Sequence, residues 1–546
     1  MGCFSPQTIP PGTLPYIVEV SGERSWNPLF QHACTFRPEI FISVMRNLVQ
    51  NPNINSSCLF RADVKDEFLF TSDMTGRLKE PVKIAQFRGF NLKNVIIRTL
   101  IPRNVLLDKT LDESCLQYEQ RVDSSKDISM VVYLPHVSSP SEIPYYHPAV
   151  YGICFLHEFS LTTKTGNISI HYCFFDSEPR SAKLERTAYH LLAILYKHGQ
   201  GNAAGYVKRV FHDVLLPQNL VQNTYSRLKS KYSKKLIEGW VESTDPTKHV
   251  FEDLGIAAFL IELWKNTYTD GNFPGFVDIG CGNGLLVHIL REEGYSGWGF
   301  DARYRKSWST YSVTDQENLK ERILIPFILQ SMIAVTTLES GDNLKIDSNK
   351  SAPKGSGKIQ QLHGTENPDH EQGINKNLRL EEIHDGIFPT SPFIISNHAD
   401  ELTPWTPLLA TASKSAFMMI PCCSHDLSGA RFCAPQSKKQ TGKSSKYASL
   451  VAWVSQIAID CGWEVEKEML RIPSTRNTAL IGRNRARPYE DINLKMVMER
   501  HGGAADWEKA SLVLVNFSIS SPNDKYFSRR WRMIFSDKSS HTDIPI

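Results

Sequence analysis

The pattern with the most chemical content in this sequence combines three glycines with a later aspartate. Gly280, Gly282 and Gly284 follow the apolar run Phe276–Ile279, a predicted β-strand, and precede a predicted helix. Glycines at alternate positions let the backbone turn tightly and let a ligand approach the main chain closely. Asp301 lies 17 residues beyond Gly284 at the end of a second predicted strand, where a carboxylate can accept both hydroxyl hydrogens of a ribose. The pattern favours a nucleoside-binding site over a bare turn between a strand and a helix.

Two further residues narrow the kind of nucleoside. Asp278 lies inside the first predicted strand, and Asn283 lies in the glycine turn. A dinucleotide site has the longer G-x-G-x-x-G pattern, which places a pyrophosphate at the start of the helix. Because the spacing here is shorter, the sequence favours S-adenosylmethionine (SAM) over a nicotinamide dinucleotide.

A second group of polar residues follows the apolar run at 392–396. Asn397, His398, Asp400 and Glu401 come directly after this predicted strand. In open α/β sheets, ligands bind at the carboxyl ends of the strands, so these side chains are well placed to meet both cofactor and substrate. A helix cap explains the Thr and Pro that follow at 403 and 404, but it does not explain these four residues.

A cysteine pair follows the next predicted strand. Cys422 and Cys423 are adjacent, His425 is two residues further on, and Cys433 follows later. Structural zinc sites usually show two C-x₂₋₄-C or equivalent pairs, and this spacing lacks the second pair. We therefore predict a loop that lines the pocket and no metal ion.

The elements that position these residues alternate along the chain. Between residues 271 and 490, strand-like runs alternate with helical patterns, which predicts an α/β domain with a doubly wound, mostly parallel sheet. Residues 340–378 are poor in apolar side chains and are predicted to be a flexible insertion. A β-rich region of unknown role is predicted over 1–180, a helical segment leading into the catalytic domain over 181–270, and a C-terminal extension over 491–546.

Composition excludes several classes of protein. The 546 residues carry 61 Lys and Arg against 58 Asp and Glu, a net charge of +3, so any basic surface must be local. The 11 cysteines show no dense, even spacing, which favours a reducing compartment. No apolar run approaches the roughly 20 residues that span a bilayer, and the first residues do not resemble a secretory signal. We expect a cytoplasmic protein with no membrane partner.

Several segments, taken in order, resemble one enzyme family. The glycine turn and its strand are similar to motif I of class I SAM-dependent methyltransferases. Five further segments resemble the eukaryotic tRNA (uracil-2′-O-)-methyltransferases that act on uridine 44 of serine tRNA. These segments are residues 244–253, 301–308, 397–405, 421–423 and 472–477. The resemblance covers about residues 180–490.

The resemblance implies a Rossmann-like fold, SAM as cofactor and serine tRNA as partner. It places Asp301 on the cofactor ribose, and it directs residues 397–401 toward the reacting groups. No obligate protein partner is inferred. The residues that it implies for cofactor binding are Asp278, Gly280, Gly282, Asn283, Gly284, Asp301 and Asn397.

The chemistry sets what the catalytic residues must do. A ribose 2′-hydroxyl is a poor nucleophile, whereas the SAM sulfonium is already an activated methyl donor, so catalysis needs positioning and removal of one proton. We expect His398 or Asp400 to accept that proton and Glu401 to act as a possible orienting group. Arg303, Arg305 and Lys306 follow the ribose acid and are the best candidates for binding RNA phosphates.

Two other functions fit parts of the sequence. A SAM-dependent enzyme that methylates a protein or a small molecule would have the same cofactor residues and a different acceptor. A non-catalytic RNA-binding subunit with a relic pocket would not need the intact glycines and Asp301.

Overall fold

The structure is a computed structural model that describes residues 4–70, 82–105, 107–123, 125–175, 180–206, 211–329, 383–435, 445–505 and 507, without the side chains of 121–123. The chain divides into two compact units, Met1–Arg209 and Val210–Ile546. In the described ranges, no helix is long and apolar enough to cross a membrane. The predicted insertion at 340–378 lies outside the described residues.

Unit 1 contains an eight-stranded antiparallel sheet and two long helices. The strands are arranged in the order β1-β2-β8-β7-β6-β5-β4-β3. Their bounds are β1 Gln7–Thr8, β2 Trp26–Cys34, β3 Leu59–Leu69, β4 Asn91–Pro102, β5 Leu111–Asp123, β6 Lys126–Pro135, β7 Gly152–Ser160 and β8 Thr165–Cys173. The helices are α1 Pro38–Gln50 and α2 Ala182–Ala203. The predicted β-rich character of this region is confirmed, whereas α1 was not predicted.

Helix α2 packs on the sheet of unit 1. Ser181 caps its first turn by accepting a hydrogen bond from the Leu184 amide. Leu184, Ala188, Leu192 and Leu195 are buried in one core with residues of the sheet and α1. The helical segment predicted over 181–270 includes this helix, but a helical pattern does not say which sheet its buried face covers. The structure therefore divides the chain after Arg209, whereas we expected a boundary after residue 180.

Unit 2 contains a mixed seven-stranded sheet in the order β11-β10-β9-β14-β15-β17-β16. Its strands are β9 Phe276–Ile279, β10 Gly297–Asp301, β11 Leu319–Glu321, β14 Phe393–Asn397, β15 Phe417–Ile420, β16 Trp463–Met469 and β17 Thr478–Arg485; a separate short pair is β12 Ile323–Leu324 and β13 Ile383–His384. The first five strands in the order are parallel, and the β16–β17 hairpin is antiparallel.

Helices cover both faces of this sheet. They are α3 Gln218–Glu238, α4 Pro246–Thr267, α5 Leu285–Glu292, α6 Val313–Gln316, α7 Thr406–Ala412, α8 Lys446–Asp460 and α9 Leu494–Arg500. Alternate strand residues face two cores, because successive side chains of a strand point to opposite faces. Phe276 packs with α3, α4 and α5, whereas Val277 packs with α7, α8 and α9. Val497 and Trp507 belong to the second core, so the predicted C-terminal extension is part of unit 2 at least to residue 507.

The order of the strands creates a crevice at the carboxyl edge of the sheet, between β9 and β14. From β9 the chain proceeds to β10 and β11 on one side, and it later returns to β14 and β15 on the other side. The connections after β9 and β14 therefore leave the sheet in opposite directions. Such a switch point, at the carboxyl ends of neighbouring parallel strands, is where open α/β sheets bind ligands.

Candidate functional site

The glycine turn lies at this switch point, between β9 and α5. Gly280, Gly282 and Gly284 all have left-handed φ angles, of 71°, 54° and 73°, which side chains rarely adopt. A Cβ on Gly280 would lie 3.1 Å from the Cβ of Ala399, so the loop after β14 approaches the turn closely. A Cβ on Gly282 would meet nothing within 4 Å. The turn therefore presents open space beside its middle glycine, as the nucleoside prediction requires.

Side chains beyond the turn fix its carbonyl groups. Trp308 Nε1 donates a hydrogen bond to the Gly282 carbonyl at 3.0 Å, and the Tyr311 hydroxyl donates one to the Asn283 carbonyl at 3.0 Å. At the start of α5, Oδ1 of Asn283 accepts a hydrogen bond from the Leu285 amide at 3.0 Å. Asn283 thus shapes the turn through its side chain. Its contact with a cofactor stays a prediction.

Asp301 ends β10 beside the turn, as the sequence predicts. Its Oδ2 accepts the Gly282 amide at 3.0 Å, and its Oδ1 accepts the Arg303 amide at 3.1 Å. Arg305 Nη2 lies 3.4 Å from the same Oδ1. Since each carboxylate oxygen can accept two hydrogen bonds, the carboxylate retains capacity for a ribose hydroxyl.

Asp278 of β9 is a buried acid of the site. Its side chain is 2% exposed, and its Oδ1 has no hydrogen-bond partner in the part of the chain that the structure describes. Burial raises the pKa of this carboxyl well above its usual range, and the charges of Asp253 and Asp301 raise it further. Buried polar atoms in native proteins are almost always paired, so the free oxygen indicates a missing donor.

Helix α4 supplies two acids that sequence reasoning did not assign. Burial, followed by the charge of Glu252, raises the pKa of Asp253 to about 7. Asn397 Nδ2 donates to Asp253 Oδ1 at 3.2 Å, and His398 Nε2 lies 2.9 Å from Glu252 Oε1. Adjacent acids directly before the apolar run 254–261, within the segment 244–253 noted above, were the available signal.

The four polar residues at the end of β14 and in the loop that follows it turn toward different neighbours. Asn397 and His398 contact α4, whereas Asp400 Oδ1 lies 3.0 Å from the Cys422 sulfur. Burial, with the charges of Asp400 and Asp301, raises the pKa of Glu401 to about 7, although a backbone hydrogen bond and the charge of Arg303 act in the opposite direction. Glu401 therefore lies within electrostatic reach of Asp301. His398 and Asp400 have positive φ angles of 51° and 44°, a strained conformation that concentrates at functional sites.

The predicted RNA-binding residues differ in exposure. Lys306 is exposed, whereas Arg303 and Arg305 are partly buried. Burial lowers the pKa of Arg303, and the neighbouring charge of Arg305 lowers it further. Arg305 is paired with Asp301, so part of its charge stabilises the site itself.

This arrangement has the donor and acceptor pattern that SAM needs. SAM carries positive charge on its sulfonium and its amino group. The crevice offers Asp253, Asp278 and Asp301, and both Asp278 Oδ1 and Asn397 Oδ1 are buried acceptors without a partner among the described residues. Charge-assisted hydrogen bonds to such acceptors are the strong ones. The residues present therefore fit the cofactor.

Comparisons with known proteins agree with both units. Residues 6–209 match the family described as "TRM44-like, N-terminal bet v1-like domain", and residues 215–326 match "Predicted AdoMet-dependent methyltransferase". A Neurospora crassa protein named tRNA (uracil-O(2)-)-methyltransferase is 49% identical, with 94% of this chain and 98% of the relative covered. Proteins of the same name from Schizosaccharomyces pombe and Saccharomyces cerevisiae are 39% and 36% identical, with 86% and 90% of this chain and 87% and 93% of the relatives covered.

The extent of these matches decides the assignment. Each relative is more than 30% identical, and the alignment spans most of both chains. The two family matches also meet near the boundary between the two structural units. The resemblance seen in the sequence motifs is thus confirmed at the level of the family, and the chain belongs to the tRNA (uracil-O(2)-)-methyltransferase family.

Proposed function

We propose that this protein transfers a methyl group from SAM to the ribose 2′-hydroxyl of a uridine in tRNA. The observation that carries the proposal is the pair of unpartnered buried acceptors, on Asp278 and Asn397, beside the open face of Gly282. The names of the relatives supply the acceptor class. The proposed substrate is uridine 44 of serine tRNA, which rests on the resemblance of residues 244–253, 301–308, 397–405, 421–423 and 472–477.

The fold and setting are part of the same proposal. A Rossmann-like, doubly wound arrangement is supported by five parallel strands and by helices on both faces of the sheet. The cysteine pattern, which favours a reducing compartment, supports action in the cytoplasm, and nothing in the sequence calls for an obligate protein partner.

Cofactor binding is assigned to the residues at the switch point. Bound SAM supplies a methyl group on a cationic sulfur, which is already activated for transfer. Asp278 and Asn397 would hold donors of the cofactor, and Asp301 would accept a ribose hydroxyl. Glycines 280, 282 and 284 keep the main chain accessible. Asn283 holds the turn at the start of α5.

Glu401 is the proposed proton acceptor. A general base works best when its pKa lies near the operating pH, and burial raises the pKa of Glu401 to about 7. As the 2′-oxygen gains the methyl group, its proton moves to the Glu401 carboxylate. His398, held by Glu252, and Asp400, beside Cys422, lie next to this carboxylate in the chain and are proposed to position it. This exchanges the roles expected from the sequence, and the raised pKa of Glu401 supports the exchange.

Arg303, Arg305 and Lys306 are the proposed contacts to tRNA phosphates. They follow Asp301 and therefore lie beside the crevice, where basic side chains would neutralise phosphates near the target nucleotide. Lys306 is the most exposed of the three.

Nucleoside mass spectrometry tests the function directly. Serine tRNA that lacks the modification is incubated with the protein and SAM, digested and compared with tRNA incubated without protein. We expect 2′-O-methyluridine to appear in serine tRNA at position 44 and to form more slowly with the Asp278→Asn variant at limiting SAM. No 2′-O-methyluridine, with SAM bound in calorimetry, would refute the acceptor and leave the cofactor assignment intact.

A further inference from the structure

Two loops meet at the carboxyl edge of the sheet, one after β14 and one after β15. The β14 loop brings Asp400, and the β15 loop brings Cys422 and Cys423. One carboxylate oxygen and the two sulfur atoms all lie within 4.8 Å of one another. The Asp400 Oδ1 to Cys422 Sγ distance is 3.0 Å. Three ligand-bearing side chains thus converge from two loops whose ligands are 22 positions apart in the chain.

We propose that Asp400, Cys422 and Cys423 bind a zinc ion. Two thiolates and one carboxylate form a donor set that suits Zn²⁺, which accepts sulfur and oxygen ligands in tetrahedral geometry. Hard cations such as Mg²⁺ and Ca²⁺ require oxygen ligands, so the cysteine pair disfavours them. The spacing of the cysteines in sequence could not reveal this set, because the third ligand comes from the neighbouring strand.

His425 is the candidate for the fourth position. It lies two residues beyond Cys423 in the same loop, its side chain is 7% exposed, and its Nδ1 has no hydrogen-bond partner in the described chain. The charge of Asp400 acts on this imidazole. The neutral imidazole is the form of histidine that ligates metal. Its Nδ1 is outside the group of three, so it would join by rotation of the ring.

Arg476 balances the charge of such a site. Its guanidinium donates a hydrogen bond to the Cys422 carbonyl and so lies beside the cysteine pair. Two thiolates and one carboxylate with Zn²⁺ leave one negative charge, which Arg476 offsets. Arg476 lies in the segment 472–477 that contributed to the family resemblance.

A second group of metal-ligating side chains differs from the cysteine site. His288, Glu292 and Asp315 also lie within 4.8 Å of one another. However, Asp315 is already satisfied, because His288 Nδ1 lies 2.7 Å from one of its oxygens and Arg291 Nε donates to the other at 2.8 Å. A cation there would have to displace an arginine, whereas the cysteine site has no basic group bonded to its ligand atoms among the described residues.

The zinc ion would connect the loop that carries Glu401 to the loop after β15. Asp400 directly precedes Glu401, and it has a positive φ of 44°. Coordination would hold Asp400 in this conformation and thereby fix the start of the segment that presents Glu401. The ion would therefore be structural, with no substrate contact.

Metal analysis of the full-length protein tests this proposal. Protein purified without chelators and supplied with Zn²⁺ should contain about one zinc per chain, the stoichiometry of a single tetrahedral site. Substitution with Co²⁺ should give thiolate-to-cobalt absorption in the near ultraviolet, with about half of its intensity lost in Cys423→Ser because one of two thiolates is removed. Cys433→Ser, which removes an exposed cysteine of the same loop, is the matched control and should change neither result.

Thermal unfolding of the unaltered protein tests the proposal without depending on whether a variant folds. A bound ion stabilises the native state, so removal with a chelator should lower the melting temperature, and Zn²⁺ should restore it. The Cys422→Ser/Cys423→Ser variant should show no such response. Zinc content near zero in metal-supplied protein, equal content in the double variant, or a Cys422–Cys423 disulfide in protein kept under reducing conditions would each overturn the proposal.

Discussion

Two fully buried carboxylates, one in each unit, have opposite surroundings. In unit 1, Glu113 of β5 receives Arg98 Nη2 at 2.5 Å and lies 3.1 Å from His147 Nε2. In unit 2, Asp278 of β9 has the acids Asp253 and Asp301 as its charged neighbours. One of its oxygens has no partner in the described ranges. The same chemical group is thus compensated in one unit and left uncompensated in the other.

The pKa values follow these surroundings. Burial alone would raise the pKa of Glu113, but the charge of Arg98 and the hydrogen bond with His147 lower it to about 2. Burial raises the pKa of Asp278, and its acidic neighbours raise it further. A charge that is satisfied within the protein contributes to stability, whereas an unsatisfied acid at a strand end is typical of a binding site. The difference supports a structural role for Glu113 and the proposed cofactor-binding role for Asp278.

The largest expected effect comes from Arg98→Met in unit 1. The substitution leaves Glu113 buried without its cation, which should lower the free energy of unfolding by about 3–5 kcal/mol. Chemical unfolding of the full-length protein, with hydrogen exchange of peptides from β4 and β5, measures the loss. The double variant Arg98→Met/Glu113→Gln should recover part of it. A loss below about 1 kcal/mol would place this pair among ordinary surface contacts and remove the contrast.

Glu401→Gln should have the next largest effect, on the rate of methyl transfer. Loss of a general base lowers kcat by roughly 10²- to 10⁴-fold. Because the pKa of Glu401 is raised to about 7, the reactive carboxylate form increases as pH rises. The rate of the unaltered enzyme should therefore rise with pH up to about 7 and level off above it.

Pre-steady-state rates at saturating SAM give this pH profile. Glu401→Asp retains a titrating carboxyl, so it should keep an inflection at a lower rate, whereas Glu401→Gln should have none near 7. An unchanged inflection in Glu401→Gln would assign the proton to another group, with His398 the next candidate.

The sequence predicted those parts of unit 2 that depend on neighbouring residues. The strand before Gly280, the turn and Asp301 at the end of β10 all follow from patterns within about 25 residues, and all are found where predicted. The contact between Asp253 and Asn397 joins residues 144 positions apart. It depends on how α4 lies over the carboxyl ends of β9 and β14, which no local pattern encodes.

The same limit explains what was missed elsewhere. The sequence predicted a helical segment that includes α2, but it could not say that α2 covers the sheet of unit 1. Likewise, Asp400 and Cys422 meet because β14 and β15 are adjacent parallel strands, whose carboxyl ends lie side by side. In each case the sequence identified the residues but not what they contact.

Asp278→Asn tests the comparison between Glu113 and Asp278, because it removes the buried acid that has no compensating charge. SAM affinity, measured by calorimetry, should fall roughly 10- to 100-fold, because a charged hydrogen bond is worth about 1.5–3 kcal/mol. The free energy of unfolding should stay equal or rise, since a buried acid without a partner is replaced by a neutral amide. The matched control is Asp315→Asn, which breaks the contacts with His288 and Arg291 and should lose stability while SAM affinity is kept. Equal destabilisation by both variants would make Asp278 a structural residue.

The smallest expected effect tests the support of the glycine turn. Trp308→Phe removes the hydrogen bond from Nε1 to the Gly282 carbonyl while it keeps most of the aromatic packing. The loss of one such bond costs about 0.5–1.5 kcal/mol, so the Kd for SAM should rise several-fold and kcat at saturating SAM should hold. Trp463→Phe is the control, because it removes an indole hydrogen bond of 2.9 Å to Thr411 Oγ1 elsewhere in the same unit. If both variants weaken SAM binding equally, the effect reports the stability of unit 2; if only Trp308→Phe does, the indole of Trp308 holds the turn in its binding conformation.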